Sequence, residues 1–206
     1  MGGLLRGGVR LIDRLLSTSS RITHISQDPE CILRIQLGMA SHTVTLGCET
    51  IVKGEPVLAL HADNKRMPGL PPVGANLEWA FMLRRRLVYS FRLVAKAMQS
   101  DSRFTYARAI YGASALFSFT DHTGGQRMIQ HLGFTVLPCH RPLGAFGEFW
   151  ENLFSWWLMW AYNPISLKSR KFWRLQRTEI WMTSAEFIRR YGEPAIASAA
   201  INLPTF

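Results

Sequence analysis

The stretch MPGLPPVGANLEWAFMLRRRLVYSFRLVAKAM, Met67 to Met98, holds the sharpest change of character in the chain. Met67 to Gly74 contains three prolines and two glycines. Proline fixes φ and lacks an N–H, so no regular element runs through this segment. Asn76 then stands where a helix N-cap belongs, with a side-chain oxygen to accept from first-turn amides. The spacing predicts a helix over Leu77 to Met98. Its apolar stripe is Leu77, Ala80, Phe81, Leu87, Val88, Phe91, Val94, Ala95 and Met98, while Arg85, Tyr89, Arg92 and Lys96 line a solvated outer face.

Upstream of the break, Cys31 to Leu37 and His42 to Leu46 alternate with period two and read as strands, with Gly38 to Ser41 as the turn. Thr50 to Val52 and Pro56 to His61 form a second pair around Lys53-Gly54-Glu55. Downstream, Ala109 to Leu116 reads as a buried strand, Thr123 to Leu132 as a short helix ended by Gly133, and Phe134 to Leu137 as a strand. Thr178 to Met182 is extended. Thr183 or Ser184 caps a last helix, Ala185 to Tyr191, that Gly192 ends. Strands and helices mix without regular alternation. The expected class is therefore α+β or mixed α/β, one main sheet with an N-terminal antiparallel meander, packed by helices. The 206 residues form a single domain, long enough for a sizeable core.

Between these elements lies FGEFWENLFSWWLMWAY, Phe146 to Tyr162, with four of the seven tryptophans: Trp150, Trp156, Trp157 and Trp160. Lys168, Arg170, Lys171, Arg174 and Arg177 follow. Aromatic rings backed by cations suit the headgroup layer of a bilayer. The dense apolar part is about ten residues and a spanning helix needs about 20, so the segment lies against a membrane face or is buried in the core. The start of the chain lacks a long apolar signal region and reads as an amphipathic helix, about 2–17, with Leu5, Val9, Ile12 and Leu16 on one face. This helix and the aromatic one are peripheral elements of the domain.

The net charge of +10 attracts phosphates, whether of anionic lipid, nucleic acid or a phosphorylated cofactor. No zinc-finger spacing or basic zipper accompanies it, so a membrane surface is favoured over nucleic acid. Cys31, Cys48 and Cys139 are too few and too scattered for a disulfide framework or zinc site, which points to a reducing compartment and to no bound metal. The expected location is cytoplasmic, on the inner face of the cell membrane.

Four stretches together resemble the YkoP-like family, small bacterial proteins or domains associated with polysaccharide deacetylases. They are the opening helix, TLGCETIVKGEPVLALHADN (Thr45 to Asn64), HTGGQRMIQHLGFTVLP (His122 to Pro138) and RTEIWMTSAEFIRRYG (Arg177 to Gly192). The resemblance implies a bacterial protein working near envelope glycan or lipid metabolism, beside envelope biosynthetic enzymes. RMIQHLGFTVLP also resembles the GNAT-like acyltransferases, in which a helix ending in Gly-Phe feeds a late strand. That resemblance implies an acyl-coenzyme A or other acyl thioester donor. Its phosphates would lie on the loop before a long helix, here Arg66, Gly69, Gly74 and Ala75, with prolines where a second glycine or alanine is expected.

LHADN, at the end of a strand and before the irregular loop, is the best polar cluster for chemistry. His61 has the pKa range of a general base and Asn64 can orient a substrate oxygen. The plainer alternative is that Asp63 and Asn64 make the turn. Glu179, among apolar neighbours in TEIWM, is a further acid or base candidate if buried and a solvated residue if exposed. Asp121 and His122 cap a helix or bind an anion, and His131 and His140 read as structural. No Gly-x-Ser-x-Gly, metal-spaced His/Glu set or P-loop occurs, so lipase, metalloprotease and nucleotide-hydrolase chemistries have no support. The expected function is a membrane-associated acyltransferase acting on a lipid or envelope glycan. The alternative is a non-catalytic, lipid-binding accessory protein of envelope metabolism.

Overall fold

A computed structural model describes residues 22–72, 74–114, 124–140, 144–162, 164–167, 171–172, 175 and 177–193. The opening helix, Asp121-His122-Thr123 and the cations Lys168, Arg170 and Arg174 fall outside the described residues. The strands are β1 (Thr23–His24), β2 (Leu33–Met39), β3 (Val44–Leu46), β4 (Glu49–Ile51), β5 (Pro56–Ala62), β6 (Ala109–Ser114), β7 (Thr135–Pro138) and β8 (Thr178–Thr183). The helices are α1 (Leu77–Ser100), α2 (Gly124–His131), α3 (Gly144–Tyr162) and α4 (Ser184–Tyr191). The fold is mixed α+β, as expected, with one six-stranded sheet in the order β1-β2-β5-β6-β8-β7.

The antiparallel N-terminal part is nested. β2 runs on through Gly38 and Met39, where a turn was expected, and pairs with β5 over its whole length. Inside that pair, β3 and β4 form a two-stranded hairpin of their own. Gly47, at φ 63°, makes its turn in the left-handed region that other residues enter only at a cost. β5 then crosses by way of α1 to β6, and the two strands are parallel. β8 lies antiparallel between β6 and the edge strand β7.

Period-two alternation sorts the sheet into two faces. Ile35, Leu58, Leu60, Ile110, Ile180 and Met182 point to the helices and build the main core with Leu83, Leu87, Phe91, Val94 and Met98 of α1, Ile129 of α2 and Phe187 of α4. Phe91 lies at its centre, its ring centroid 5.2 Å from that of Phe134 and 5.7 Å from that of Phe187. The first turns of α1 overhang this core. Leu77 and Phe81, assigned to the stripe from their spacing, are exposed at 78% and 69%, while Trp79 and Leu83 between and after them pack on the core. Asn76 caps α1 by accepting from Trp79 N at 2.8 Å, and Gly133 (φ 92°) ends the turn after α2. Thr183 and Gly192 bound α4.

On the second face, Val44, Leu46 and Ile51 of the hairpin pack on Val57, Ala109 and Trp181. At the other end of the face, toward the C-terminal ends of β5 and β6, the described residues include the polar side chains of Arg34, His61 and Glu179.

Candidate functional site

The register places Arg34 beside His61, and Glu179 beside Ala113 and Leu137, on this second face. Gln36, Ala59, Tyr111, Trp181 and Thr135 form the adjacent row of the same face. Between the two halves of the face the sheet changes. β5 and β6 pair only from Val57/Ala109 to Ala59/Tyr111. Beyond that, Leu60 to Ala62 pair with β2 alone and Gly112 to Ser114 with β8 alone. Two central strands thus continue past the end of their mutual ladder, though still close, with Leu60 O 3.5 Å from where a Cβ on Gly112 would stand.

His61 is half-buried, and its Nε2 lies 3.0 Å from Gln36 Oε1. With that oxygen accepting, Nε2 carries the proton and Nδ1 keeps the lone pair. Burial, and next the neighbouring Arg34 charge, hold its pKa below the ordinary histidine value. The imidazole is therefore neutral at pH 7, the state a general base needs. Arg34 itself donates from Nη2 to Ala62 O at 3.3 Å, bracing the end of β5.

The loop after β5 is tied down by its own side chains. Arg66 Nη1 donates to the carbonyls of Ser26, Asp28 and Cys31 at 2.8, 3.0 and 3.3 Å, and Nε lies 3.5 Å from buried Asp63. Those contacts clamp the β1–β2 connection onto the loop and compete with any phosphate for the guanidinium. Trp79 Nε1 donates to Pro68 O at 3.2 Å, fastening the loop to α1. Gly74 takes φ 94° and donates its N–H to Pro71 O; Gly69 and exposed Ala75 sit on the same loop, with open space around both glycines. Asn64 is half-buried at the start of this loop, beside His61 in sequence.

Glu179 is buried, only 2% exposed, and heads a cluster that joins three distant segments. Its Oε1 accepts from His140 N at 2.8 Å and its Oε2 from Trp181 Nε1 at 2.9 Å. His42 Nε2 lies 3.4 Å from Oε2. The His42 ring stacks on His140 with centroids 4.4 Å apart, and Trp181 meets it edge-on at 5.9 Å. Ser41 Oγ lies 3.0 Å from His42 Nδ1. Cys139 and Tyr111 share this environment. Burial pushes the Cys139 thiol up to about 11 and moves the Tyr111 phenol up as well. An open groove of about 670 Å³ runs over the cluster between Thr43, Val44 and Leu137, Pro138.

Glu179 was legible in the sequence as a carboxyl group among apolar neighbours. Ser41 and His42 were missed, and His140 was read as structural. The three come together only through the hairpin and the β7–β8 connection, and alternation carries no trace of such contacts. Among the described residues no group of three or more His, Cys, Asp and Glu is arranged to hold a metal ion.

α3 belongs to the long insertion between β7 and β8. At the insertion's base, Cys139 N donates to Arg177 O at 3.3 Å, Glu151 pairs with Arg177, and Asn152 Nδ2 donates to Leu175 O at 3.4 Å. Met159 and Leu175 form a small buried cluster with half-buried Trp156 and Leu167. Trp156 also packs edge-on against Phe172, and Trp160 is half-buried. On another face of the helix, Phe146, Trp150 and Trp157 recur at i, i+4 and i+11 and are 76%, 51% and 44% exposed. No helix among the described residues is long and apolar enough to cross a membrane.

Neither a search of curated proteins nor one of solved structures returns a match. A family model does: the YkoP domain matches residues 4–191, which take in the nested strands, the split sheet and the aromatic insertion. The chain therefore belongs to the YkoP domain family.

Proposed function

We propose that the protein is an acyltransferase working at a membrane face, passing an acyl group from a thioester donor to a hydroxyl or amine of a lipid or envelope glycan. The observation that carries this reading is the polar row, with Arg34 and His61 on one side and Glu179 on the other, set where the parallel strands β5 and β6 stop pairing. Unpaired strand edges are templates for an extended chain. A donor arm built of amides, such as that of an acyl-coenzyme A, can hydrogen-bond to them as an added strand would. His61, neutral, stands just past the end of that ladder as the base for the acceptor. Arg66 is turned to backbone carbonyls, so the donor's phosphates fall in this reading to loop amides around Gly69 and Ala75. Asn64, half-buried at the start of the loop, remains the polar group to orient the acceptor.

A second reading, a non-catalytic lipid-binding accessory to envelope enzymes, is favoured by one observation, the exposed aromatic face of α3. Rings that stay uncovered in a protein of net charge +10 fit an anionic lipid surface, where their edges meet headgroups and their bodies meet acyl chains. The two readings share the inner membrane surface as location.

Thermal stability separates them. A ligand that binds only the folded state raises the melting temperature as its concentration passes the dissociation constant. Under the acyltransferase reading, palmitoyl-coenzyme A raises it in the absence of lipid, and free coenzyme A does so less. Stabilisation by anionic vesicles alone, with no response to either thioester or coenzyme A, would leave the accessory reading.

A further inference from the structure

We infer that Ser41, His42 and Glu179 form a nucleophilic relay in which the Ser41 hydroxyl takes the acyl group. The inference rests on the acyl-transfer reading and places its chemistry beside the groove under the hairpin. Glu179 Oε2 lies 3.4 Å from His42 Nε2, within ion-pair range, and its negative charge favours the tautomer that carries its proton on that nitrogen. Nδ1 is then the basic atom, and it is the atom that Ser41 Oγ meets at 3.0 Å. Nucleophile, base and orienting acid thus stand in line, the logic shared by hydroxyl-nucleophile enzymes on unrelated folds.

The surroundings suit the role. The acid is buried, and its two oxygens accept from the His140 amide and the Trp181 indole, which fix it in place. The base is half-buried, with its ring held between His140 and Trp181. The hydroxyl is exposed, and its neighbour His42 lines a shallow open groove with Thr43, Val44, Leu137 and Pro138. Those walls are mostly apolar and can lie along an acyl chain. Cys139 shares the groove, but its raised pKa leaves it almost wholly as the thiol, a poor competitor.

The step balances. As Ser41 Oγ bonds to the carbonyl carbon of a thioester or ester, its proton passes to His42 Nδ1. The bond to the leaving sulfur or oxygen breaks, and the leaving group departs with that proton. An acceptor hydroxyl or amine, or water, then gives its proton to Nδ1, attacks the acyl-serine, and restores the Ser41 hydroxyl.

The test is intact mass and peptide mapping of the full chain after acid quenching, with 4-nitrophenyl octanoate and, separately, palmitoyl-coenzyme A. The expected result is one acyl group on Ser41. Ser41→Ala and His42→Gln should lower the rate of its formation by about 100-fold or more, the scale on which relays fail when one member is removed. Ser41→Cys should retain a thioester adduct, and Glu179→Gln should form the adduct more slowly. Ser41 is exposed, so the alanine variant should keep the wild-type melting temperature, which excludes unfolding as the cause. Acylation of Cys48 or Cys139 in place of Ser41 overturns the relay. Turnover of thioester without any acyl-protein also overturns it, while leaving direct transfer at His61 standing. No turnover and no adduct removes both.

Discussion

At the residue scale, the two faces of the sheet make opposite demands on their side chains. Phe91 fills the middle of the main core between Phe134 and Phe187, whereas Phe81, on the same helix, lies open to solvent. Phe91→Ala should lower unfolding free energy by about 3–5 kcal/mol, since a large cavity opens among rings that cannot collapse into it. Phe81→Ala should change it by no more than about 0.5 kcal/mol. Urea titration of both variants measures the difference directly. His61 makes a demand of a different kind. Its folded pKa lies below its unfolded value, so at pH near and below about 6.5 the unfolded chain binds more protons than the folded one. The stability it contributes is present above that range and is lost as pH falls toward the folded pKa. His61→Gln should flatten this part of the stability-versus-pH curve, and a variant curve parallel to wild type would place the titration elsewhere.

At the element scale, α1 shows what a sequence makes plain and what it hides. Its start and its N-cap are legible at Asn76, because capping is a local hydrogen bond with a local signature. Its length is nearly so, from the period of Leu87, Phe91, Val94 and Met98. Which residues of the stripe the fold covers is not legible, since Leu77 and Phe81 obey the same period and are nevertheless exposed. The strands repeat the lesson. Alternation located β2, β3, β4 and β5, but the nested pairing depends on β2 running through Gly38, a choice made by the partner strand and not by the turn residues. Asn76→Ala should cost about 1 kcal/mol. Arg66→Ala should cost about 1–3 kcal/mol, because it strips donors from the carbonyls of Ser26, Asp28 and Cys31 and leaves Asp63 buried beside them. Lysine in its place carries the charge but not the fork, so Arg66→Lys should recover only part of the loss. For α3, the double change Trp150→Ala with Trp157→Ala should weaken partitioning onto anionic vesicles by about tenfold or more, equivalent to about 1.4 kcal/mol. It should leave the melting temperature nearly unchanged. A fall in melting temperature of many degrees would mean that the two rings are packed in the native fold.

For the whole molecule, the design is a layer of helices on one face of a six-stranded sheet and a small hairpin on part of the other. Among the described residues, that second face also carries a row of Arg34, His61 and buried Glu179 near where two parallel strands stop pairing. Glu179 and His61 were readable as candidates because each is a titratable group in an apolar or strand-end setting. The cluster around Glu179 was not, because residues 41–42, 139–140 and 179–181 meet only when the hairpin folds onto the sheet. Under the proposed function, this row and the groove beside it carry acyl transfer. The most direct measurement is release of free thiol from palmitoyl-coenzyme A by the purified full chain in the presence of anionic vesicles, compared with His61→Ala, His42→Gln and Glu179→Gln. Thiol release is expected from the wild type, with His42→Gln and at least one of the other two variants slower by about 100-fold while all remain folded. Equal, vesicle-independent release by every variant, or none by the wild type, would contradict the proposed function.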